Sequence, residues 1–338
     1  MSVDLADESA LLTELRNLTE RGRHRDVADR LAALPRAQVA THAPLALLAA
    51  EAYGRLGEYD TAAGWAGEAL TVASARGDRH AELRAINDCG ALALERGDGP
   101  EAERWFGTAL ELCREPPEHA AQARSLNNLG IIADLKGDTA AALASYQLAL
   151  AAYQQAGLVR GLAETHHNIA ISRLHLGDLA GALSAAEQAV RLAGQIGDER
   201  LLAQALAGRA EMHLQAGDTD LAAAELERVA AAYVRLAHPV GLAEAWRLQA
   251  GVARARRDTA EAIRVLVRAA ALAREQGSAH TLAEIERDLG DALDASGDVS
   301  GARAARERAS ALYLQLGAVT MAARLSQLPP SRDPATPS

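Results

Sequence analysis

A Gly-Asp pair recurs every 40 residues along most of this chain. The turn position is glycine in six of seven copies, and the next position is aspartate in six of seven. The turn positions are Gly57, Gly97, Gly137, Gly177, Gly217, Arg257 and Gly297. Five residues after each turn stands alanine, at Ala62, Ala102, Ala142, Ala182, Ala222, Ala262 and Ala302. Because periods of about 20 to 50 residues are typical of stacked repeats, the sequence predicts a repeat array.

Each period carries the pattern of two helices joined by a tight turn. In one copy, residues 119–136 place apolar side chains at the spacing of an amphipathic helix. Gly137 follows, and glycine accepts the left-handed conformation that ends many helices. Asp138 is a favoured N-cap residue, which predicts a second helix over about residues 139–156.

Two of the turns also have the spacing of a capping box. Asp98 precedes Glu101 by three residues, and Asp258 precedes Glu261 by three. In a capping box each of the two side chains accepts a hydrogen bond from the backbone of the other residue. We therefore predict reciprocal caps at these two helix starts.

Small residues recur seven positions before each turn. They are Ala50, Gly90, Gly130, Ala170, Ala210, Ala250 and Gly290. Small side chains at one point on a helix let a neighbouring helix approach closely. Enlarging one of these sites is expected to destabilise the fold by overpacking.

Together these patterns predict an all-α, right-handed α-solenoid, a superhelix of stacked antiparallel helix pairs with about 17 helices and no strands. We expect a degenerate N-terminal hairpin in residues 1–39, with Gly22 at its turn. Seven repeats should fill residues 40–317 and a capping helix residues 318–327. Residues 328–338 contain four prolines and are expected to form a disordered tail.

The repeat pattern resembles the tetratricopeptide repeat over residues 40–317. The segments Asn127-Asn128-Leu129-Gly130 and His167-Asn168-Ile169-Ala170 resemble its longer variant. That variant occurs in kinesin light chain, in spindle-orientation adaptors and in sensor domains of many bacterial regulators. The resemblance implies protein or peptide binding on the concave side, where the last asparagine of such a run commonly holds ligand backbone.

Composition and motifs argue against several classes of function. The formal net charge of −10 disfavours nucleic acid as the main partner, and no apolar run is long enough to cross a membrane. No signal peptide is visible, so we expect a cytoplasmic protein. We find no phosphate-binding loop, nucleophile elbow or zinc-ligand spacing, and therefore predict no enzyme, no cofactor and no bound metal.

The first helices carry the candidate binding residues. Nine and ten residues before successive turns lie the pairs Asn87-Asp88, Asn127-Asn128 and His167-Asn168. Other positions that we expect to face the groove hold Arg84, Arg124, Glu164, Ile131 and Ile171. Asparagine is a poor helix former, and its amide offers both donors and an acceptor. A ladder of such amides predicts contacts with the backbone of an extended peptide in the concave groove; alternatively, the amides hydrogen-bond neighbouring helices.

Two functional interpretations follow. The first is a non-enzymatic scaffold or adaptor that binds a protein or peptide segment in the groove. The second is a sensory regulator that changes shape when it binds a signal peptide or partner and acts in trans on another protein. A regulator should change shape on binding, whereas a scaffold should not.

Overall fold

The computed structural model describes residues 5–20, 23–115, 117–316 and 318–326. Over these ranges the chain forms 18 helices and no strand. The chain divides into two compact units, Met1–Ile132 and Ala133–Ser338, and each is described by itself. The predicted all-α fold of stacked antiparallel helix pairs is confirmed.

The N-terminal unit contains seven complete helices and most of an eighth. They are α1 (Leu5–Glu20), α2 (His24–Ala32), α3 (Arg36–Ala40), α4 (Ala43–Arg55), α5 (Tyr59–Arg76), α6 (Arg79–Glu95), α7 (Gly99–Leu112) and α8 (His119–Leu135). The short α3 raises the helix number above the predicted 17. It begins after Pro35, whose φ of −55° suits a helix start, and it buries Val39 completely. The predicted turn residue Gly22 lies outside the described residues.

The C-terminal unit contains the end of α8 and ten further helices. They are α9 (Thr139–Ala156), α10 (Val159–His175), α11 (Leu179–Ile196), α12 (Glu199–Ala216), α13 (Thr219–Arg235), α14 (Pro239–Ala255), α15 (Thr259–Glu275), α16 (Ala279–Ser296), α17 (Val299–Gln315) and α18 (Val319–Ser326). Helices α10 to α17 form four hairpins, each with a first and a second helix. The predicted tail in residues 328–338 lies outside the described residues.

At the helix starts, the aspartate side chain accepts the predicted hydrogen bond, but the reciprocal hydrogen bond of a capping box does not form. The backbone N–H of Ala141 donates to the Asp138 carboxylate at 3.0 Å, and that of Glu101 donates to Asp98 at 2.9 Å. The reciprocal half is absent at Asp98, whose backbone N–H donates to the Ala93 carbonyl of the preceding helix. The predicted capping box is therefore wrong here, because the tight turn already uses that N–H group.

The second predicted capping box fails for the same reason. The backbone N–H of Glu261 donates to the Asp258 carboxylate at 3.0 Å, as expected. The backbone N–H of Asp258, however, donates to the Ala253 carbonyl. The Glu261 carboxylate instead accepts from the guanidinium of Arg264.

Arg257 adopts the same left-handed backbone as the turn glycines, with a φ of +64°. A side chain with a Cβ atom costs about 1–2 kcal/mol in this region. We expect Arg257→Gly to raise the free energy of unfolding by about 1 kcal/mol, since glycine relieves the strain but adds freedom to the unfolded chain. Thermal and urea unfolding followed by circular dichroism would measure it.

The reciprocal substitution provides the control. Gly297 has a φ of +86°, and a Cβ atom added to it would meet nothing within 4 Å. Gly297→Arg should therefore lose stability through backbone strain alone. Equal stability of Arg257→Gly and the parent chain would show that the turn at Arg257 is not strained.

The predicted small residues lie where the two helices of a hairpin touch. A Cβ atom added to Gly90 would lie 2.6 Å from Cε1 of Phe106, and one added to Gly290 would lie 2.8 Å from Cγ of Arg306. Phe106 and Arg306 both stand nine residues after their turns. The contact between these two positions thus fixes the distance between paired helices.

Candidate functional site

One row of side chains on each first helix meets the neighbouring first helices. In the C-terminal unit, the first helices α10, α12, α14 and α16 contact each other in succession. The second helices of the same hairpins contact each other less among the described residues. The first helices therefore lie on the inner side of this stack. We use the name C-terminal face for a set of half-buried side chains on these four first helices. They are Glu164, Asn168, Ile171, Glu211, Glu244, Glu284, Asp288 and Asp291.

Arg247 links three first helices beneath this face. Its guanidinium donates to Glu244 on its own helix at 2.6 Å and to Asp288 of α16 at 2.8 Å. It also lies 3.5 Å from the carboxylate of Glu211 on α12. The Arg247 side chain is only 8% exposed. Burial lowers the pKa of Arg247, but the carboxylates of Glu244 and Asp288 raise it well above its ordinary value, so the group stays charged.

Arg287 joins the same network from α16. Its guanidinium donates to Asp288 at 2.9 Å and lies 2.9 Å from Glu284, which also accepts from the Tyr313 hydroxyl. Burial raises the pKa of Asp288, but Arg247 and Arg287 lower it by more, so the net pKa is below its ordinary value. Asp288 is therefore ionised at neutral pH.

A smaller polar network occupies the first helices of the N-terminal unit. Arg84 of α6 donates to Glu51 of α4 at 2.9 Å and lies 3.8 Å from the Asp88 carboxylate. Burial raises the pKa of Asp88 to about 6, against the lowering effect of Arg84. Of the candidate residues on α8, Arg124 is exposed, and Asn128 and Ile131 are half-buried.

Side chains ten residues before the turn lie in the seam between consecutive first helices. The Asn87 amide donates to the Leu83 carbonyl at 3.0 Å and accepts from the Ser125 hydroxyl of α8 at 2.9 Å. Asn87 is 4% exposed, and Asn127, at the equivalent position, is 9% exposed. Asn87 is thus corrected from a ligand contact to a helix-packing residue, because the adjacent first helix covers its amide.

His167 occupies the same seam in the C-terminal unit. A Cβ atom added to Gly208 of α12 would lie 2.7 Å from Nδ1 of His167, so the glycine makes room for the ring. Burial lowers the pKa of His167 to about 4, although Glu244 raises it. The ring is therefore neutral at pH 7 and packs between two helices. His167 is half-buried, as are its candidate neighbours Glu164, Asn168 and Ile171 on the C-terminal face.

Sequence reasoning missed three acidic residues of the C-terminal face, Glu211, Glu244 and Glu284. Glu244 and Glu284 stand thirteen residues before their turns, as do the predicted candidates Arg84, Arg124 and Glu164. Extending that position along the whole array would have found both. Glu211 offered a weaker periodic signal, because a carboxylate recurs at its position, six residues before the turn, only at Glu51 and Asp291.

A separate groove lies between α12 and α13. Its volume is about 310 Å³, and it is lined mainly by Leu202, Leu206, Val229 and Ala232. None of the candidate residues lines it. Among the residues that the structure describes, no cluster of three metal-ligating side chains is present and no helix is long and apolar enough to cross a membrane.

Comparison with known families agrees with this geometry. Residues 87–155 match the model of the tetratricopeptide repeat. Over this segment the chain is similar to the tetratricopeptide repeat. The predicted resemblance is therefore confirmed. No curated protein matches the chain in sequence.

Several solved structures share the fold at low identity. The apo form of the quorum sensor NprR from B. thuringiensis is 13% identical with a TM-score of 0.66, over 90% of this chain and 86% of that one. A Rap protein complexed with competence and sporulation factor is 14% identical with a TM-score of 0.64, over 84% and 79%. Aspartyl phosphate phosphatase F from Bacillus subtilis is 14% identical with a TM-score of 0.54, over 98% and 97%.

Proposed function

We propose that this protein is a non-enzymatic binding module whose first helices hold an extended protein or peptide segment. The main support is the C-terminal face, where consecutive first helices contact each other and carry half-buried side chains that are all polar except Ile171. Helix packing alone requires apolar or small side chains, as on the second-helix side of these hairpins. A row of amide and carboxylate groups suits a peptide, whose backbone needs hydrogen-bond partners.

The fold relatives support the same class of partner. One of them, the Rap protein, is complexed with competence and sporulation factor, and another, NprR, is a quorum sensor. We extend peptide or protein binding to this chain as part of the proposal.

Selection of 12-residue peptides from a random display library against the full chain would supply a defined ligand. Fluorescence anisotropy would then measure its affinity for variants of the two half-buried asparagines, Asn128 and Asn168. A lost hydrogen bond costs about 0.5–1.5 kcal/mol, so Asn128→Ala/Asn168→Ala is expected to weaken binding about 5-fold to 100-fold. Gln147→Ala is the matched control, since Gln147 is exposed on a second helix.

The melting temperature of each variant separates ligand contact from helix packing. Alanine has the higher helix propensity, so the double variant should keep its melting temperature if the amides face ligand. An earlier melt with unchanged peptide affinity would instead assign these amides to helix packing. Equal effects of the double variant and Gln147→Ala would move the binding surface away from the first helices.

The second candidate is a sensory regulator, and it is favoured by the fold similarity to NprR over 90% of this chain. A regulator must exist in two conformations that the ligand stabilises to different degrees. Small-angle X-ray scattering of the free and peptide-saturated chain distinguishes the candidates. A change in the radius of gyration on binding supports a regulator, and an unchanged value supports a scaffold.

A further inference from the structure

The C-terminal face presents more negative than positive charge to a ligand. Glu164 is paired with Arg160 at 3.6 Å, and Asp291 with Arg306 at 3.2 Å. The other four carboxylates share the two guanidinium groups of Arg247 and Arg287. These four are Glu211, Glu244, Glu284 and Asp288. The centre of the face therefore holds four carboxyl groups and two guanidinium groups, an excess of two acidic groups.

The exposure of the charged side chains determines whether a ligand contacts negative or positive groups first. Arg247 is 8% exposed, whereas Glu211 and Glu244 are 30% and 34% exposed. At Arg247 the cation therefore lies beneath and the carboxylates lie above it. Arg287 is 27% exposed, and its partners Glu284 and Asp288 are 18% and 17% exposed, so this cation reaches the surface beside its carboxylates. A segment that lies over Arg247 thus meets carboxylate oxygens, which accept hydrogen bonds and attract cations.

The carboxylates also crowd each other. Burial raises the pKa of Glu211, and the negative charges of Glu244 and Glu284 raise it further against the lowering effect of Arg247. A positive group placed among them would relieve this repulsion. A metal ion does not fit, because no three metal-ligating side chains converge here or elsewhere in the described ranges.

Resting on the proposed function, we infer that the C-terminal face binds an extended segment whose arginine or lysine side chains meet Glu211, Glu244 and Glu284. Glu244 and Glu284 occupy equivalent positions one period apart, on consecutive first helices. Axes of packed helices lie about 8–10 Å apart, and an extended chain advances about 3.3 Å per residue. Basic residues spaced about three apart therefore match these two carboxylates.

Three labelled 12-residue peptides of otherwise identical sequence test the inference with the full chain. One carries lysine at every third position, the second has glutamine there and the third glutamate. Anisotropy in 50 mM NaCl is expected to show at least about 10-fold tighter binding of the lysine peptide, and the preference should fall in 300 mM NaCl. Equal affinity of the lysine and glutamine peptides would overturn the inference.

Isosteric variants locate the charge effect on the face. Glu211→Gln/Glu244→Gln is expected to weaken the lysine peptide about 10-fold and to leave the glutamine peptide unchanged. Glu187→Gln/Glu227→Gln is the control, since both residues are exposed on second helices, α11 and α13, and this variant removes the same two charges from the chain. Equal weakening by control and face variants would mean a general attraction to an acidic protein, which overturns the site. If the double variant melts early, Glu211→Gln alone serves, because Glu211 contributes only the 3.5 Å contact with Arg247.

The two proposals fail in different ways. If the glutamine peptide binds as tightly as the lysine peptide and Asn168→Ala weakens both, the basic partner is excluded and the binding module stands. If neither peptide binds, the basic partner is excluded, and the display selection decides on the binding module by itself. Spermine, a free polyamine, serves as a competitor at a concentration that supplies the same amount of positive charge. If it displaces the lysine peptide, the ligand of this face would be a free polyamine rather than a peptide segment, which overturns the inference.

Discussion

Replacement of Arg247 by leucine is expected to lower the free energy of unfolding by about 3 kcal/mol. The substitution removes the cation that bonds Glu244 and Asp288 and approaches Glu211. Removing one partner of a buried ion pair typically costs about 3–5 kcal/mol, because it leaves a charge without compensation. The lower end applies here, since Glu211 and Glu244 are about one-third exposed and water screens them.

The loss in Arg247→Leu should depend on pH. Without Arg247, the pKa of Glu211, which burial already raises, rises further above that in the unfolded chain, and the pKa of Asp288 loses its largest lowering cause. Groups with a raised pKa in the folded state bind protons there first, so they favour folding at low pH and oppose it as the pH rises. The deficit relative to the parent chain should therefore be largest at pH 7 and shrink towards about pH 4, within the usual carboxyl range.

Two further variants serve as controls for Arg247→Leu, with urea unfolding at several pH values as the measurement. Arg264→Leu removes an arginine that is 69% exposed and paired with Glu261 on one helix, and it should leave the midpoint unchanged. Arg247→Lys keeps the charge but loses the planar, multiple donors, and it should fall between the parent and the leucine variant. A pH-independent deficit in Arg247→Leu would mean that lost packing, rather than unpaired carboxylates, causes it.

Gly90→Ala is expected to destabilise the N-terminal unit by about 1–3 kcal/mol. The added methyl group would lie 2.6 Å from the ring of Phe106, which is fully buried and cannot swing aside. The two helices must therefore move apart or the ring must leave its preferred rotamer, and both cost free energy. Thermal unfolding followed by circular dichroism would measure the change.

A glycine-to-alanine substitution on the partner helix α7 is expected to raise the stability rather than lower it. Gly107 lies in α7, one residue beyond Phe106, and a Cβ atom added to it would meet nothing within 4 Å. Gly107→Ala should stabilise the chain by up to about 1 kcal/mol, since alanine is the better helix former. A stabilised Gly90→Ala would show that the hairpin α6–α7 has room at this contact.

The local signals in the sequence predicted the fold in detail because they act within a few residues of each other. Gly137 and Asp138 define a helix end and a helix start by backbone conformation and side-chain capping, both of which are local. Gly90 marked a close contact without revealing its partner. The structure identified Phe106, which stands in a helix on the far side of the turn.

The sequence predicted the orientation of the candidate side chains less precisely, because helical periodicity gives the direction of a side chain only to within a broad stripe. Adjacent positions such as Asn87 and Asp88 differ by about 100° around a helix, and the next first helix covers one of them. Asn87 bonds Ser125, which is 38 residues away in the sequence. Only the packing distance between first helices decides whether such an amide is available to a ligand.

The sequence by itself determined the repeat, its two helices, the turn that joins them and the small residues at which they touch. These follow from the period, from glycine and aspartate at the turn, and from the apolar spacing within each helix. The tertiary structure decided which charged residues are buried together. Glu286 is 1% exposed between Arg274 of α15 and Arg308 of α17, and Arg247 bonds a carboxylate 41 residues away. Such pairs depend on the distance between helices that are remote in sequence, and no local pattern encodes that distance.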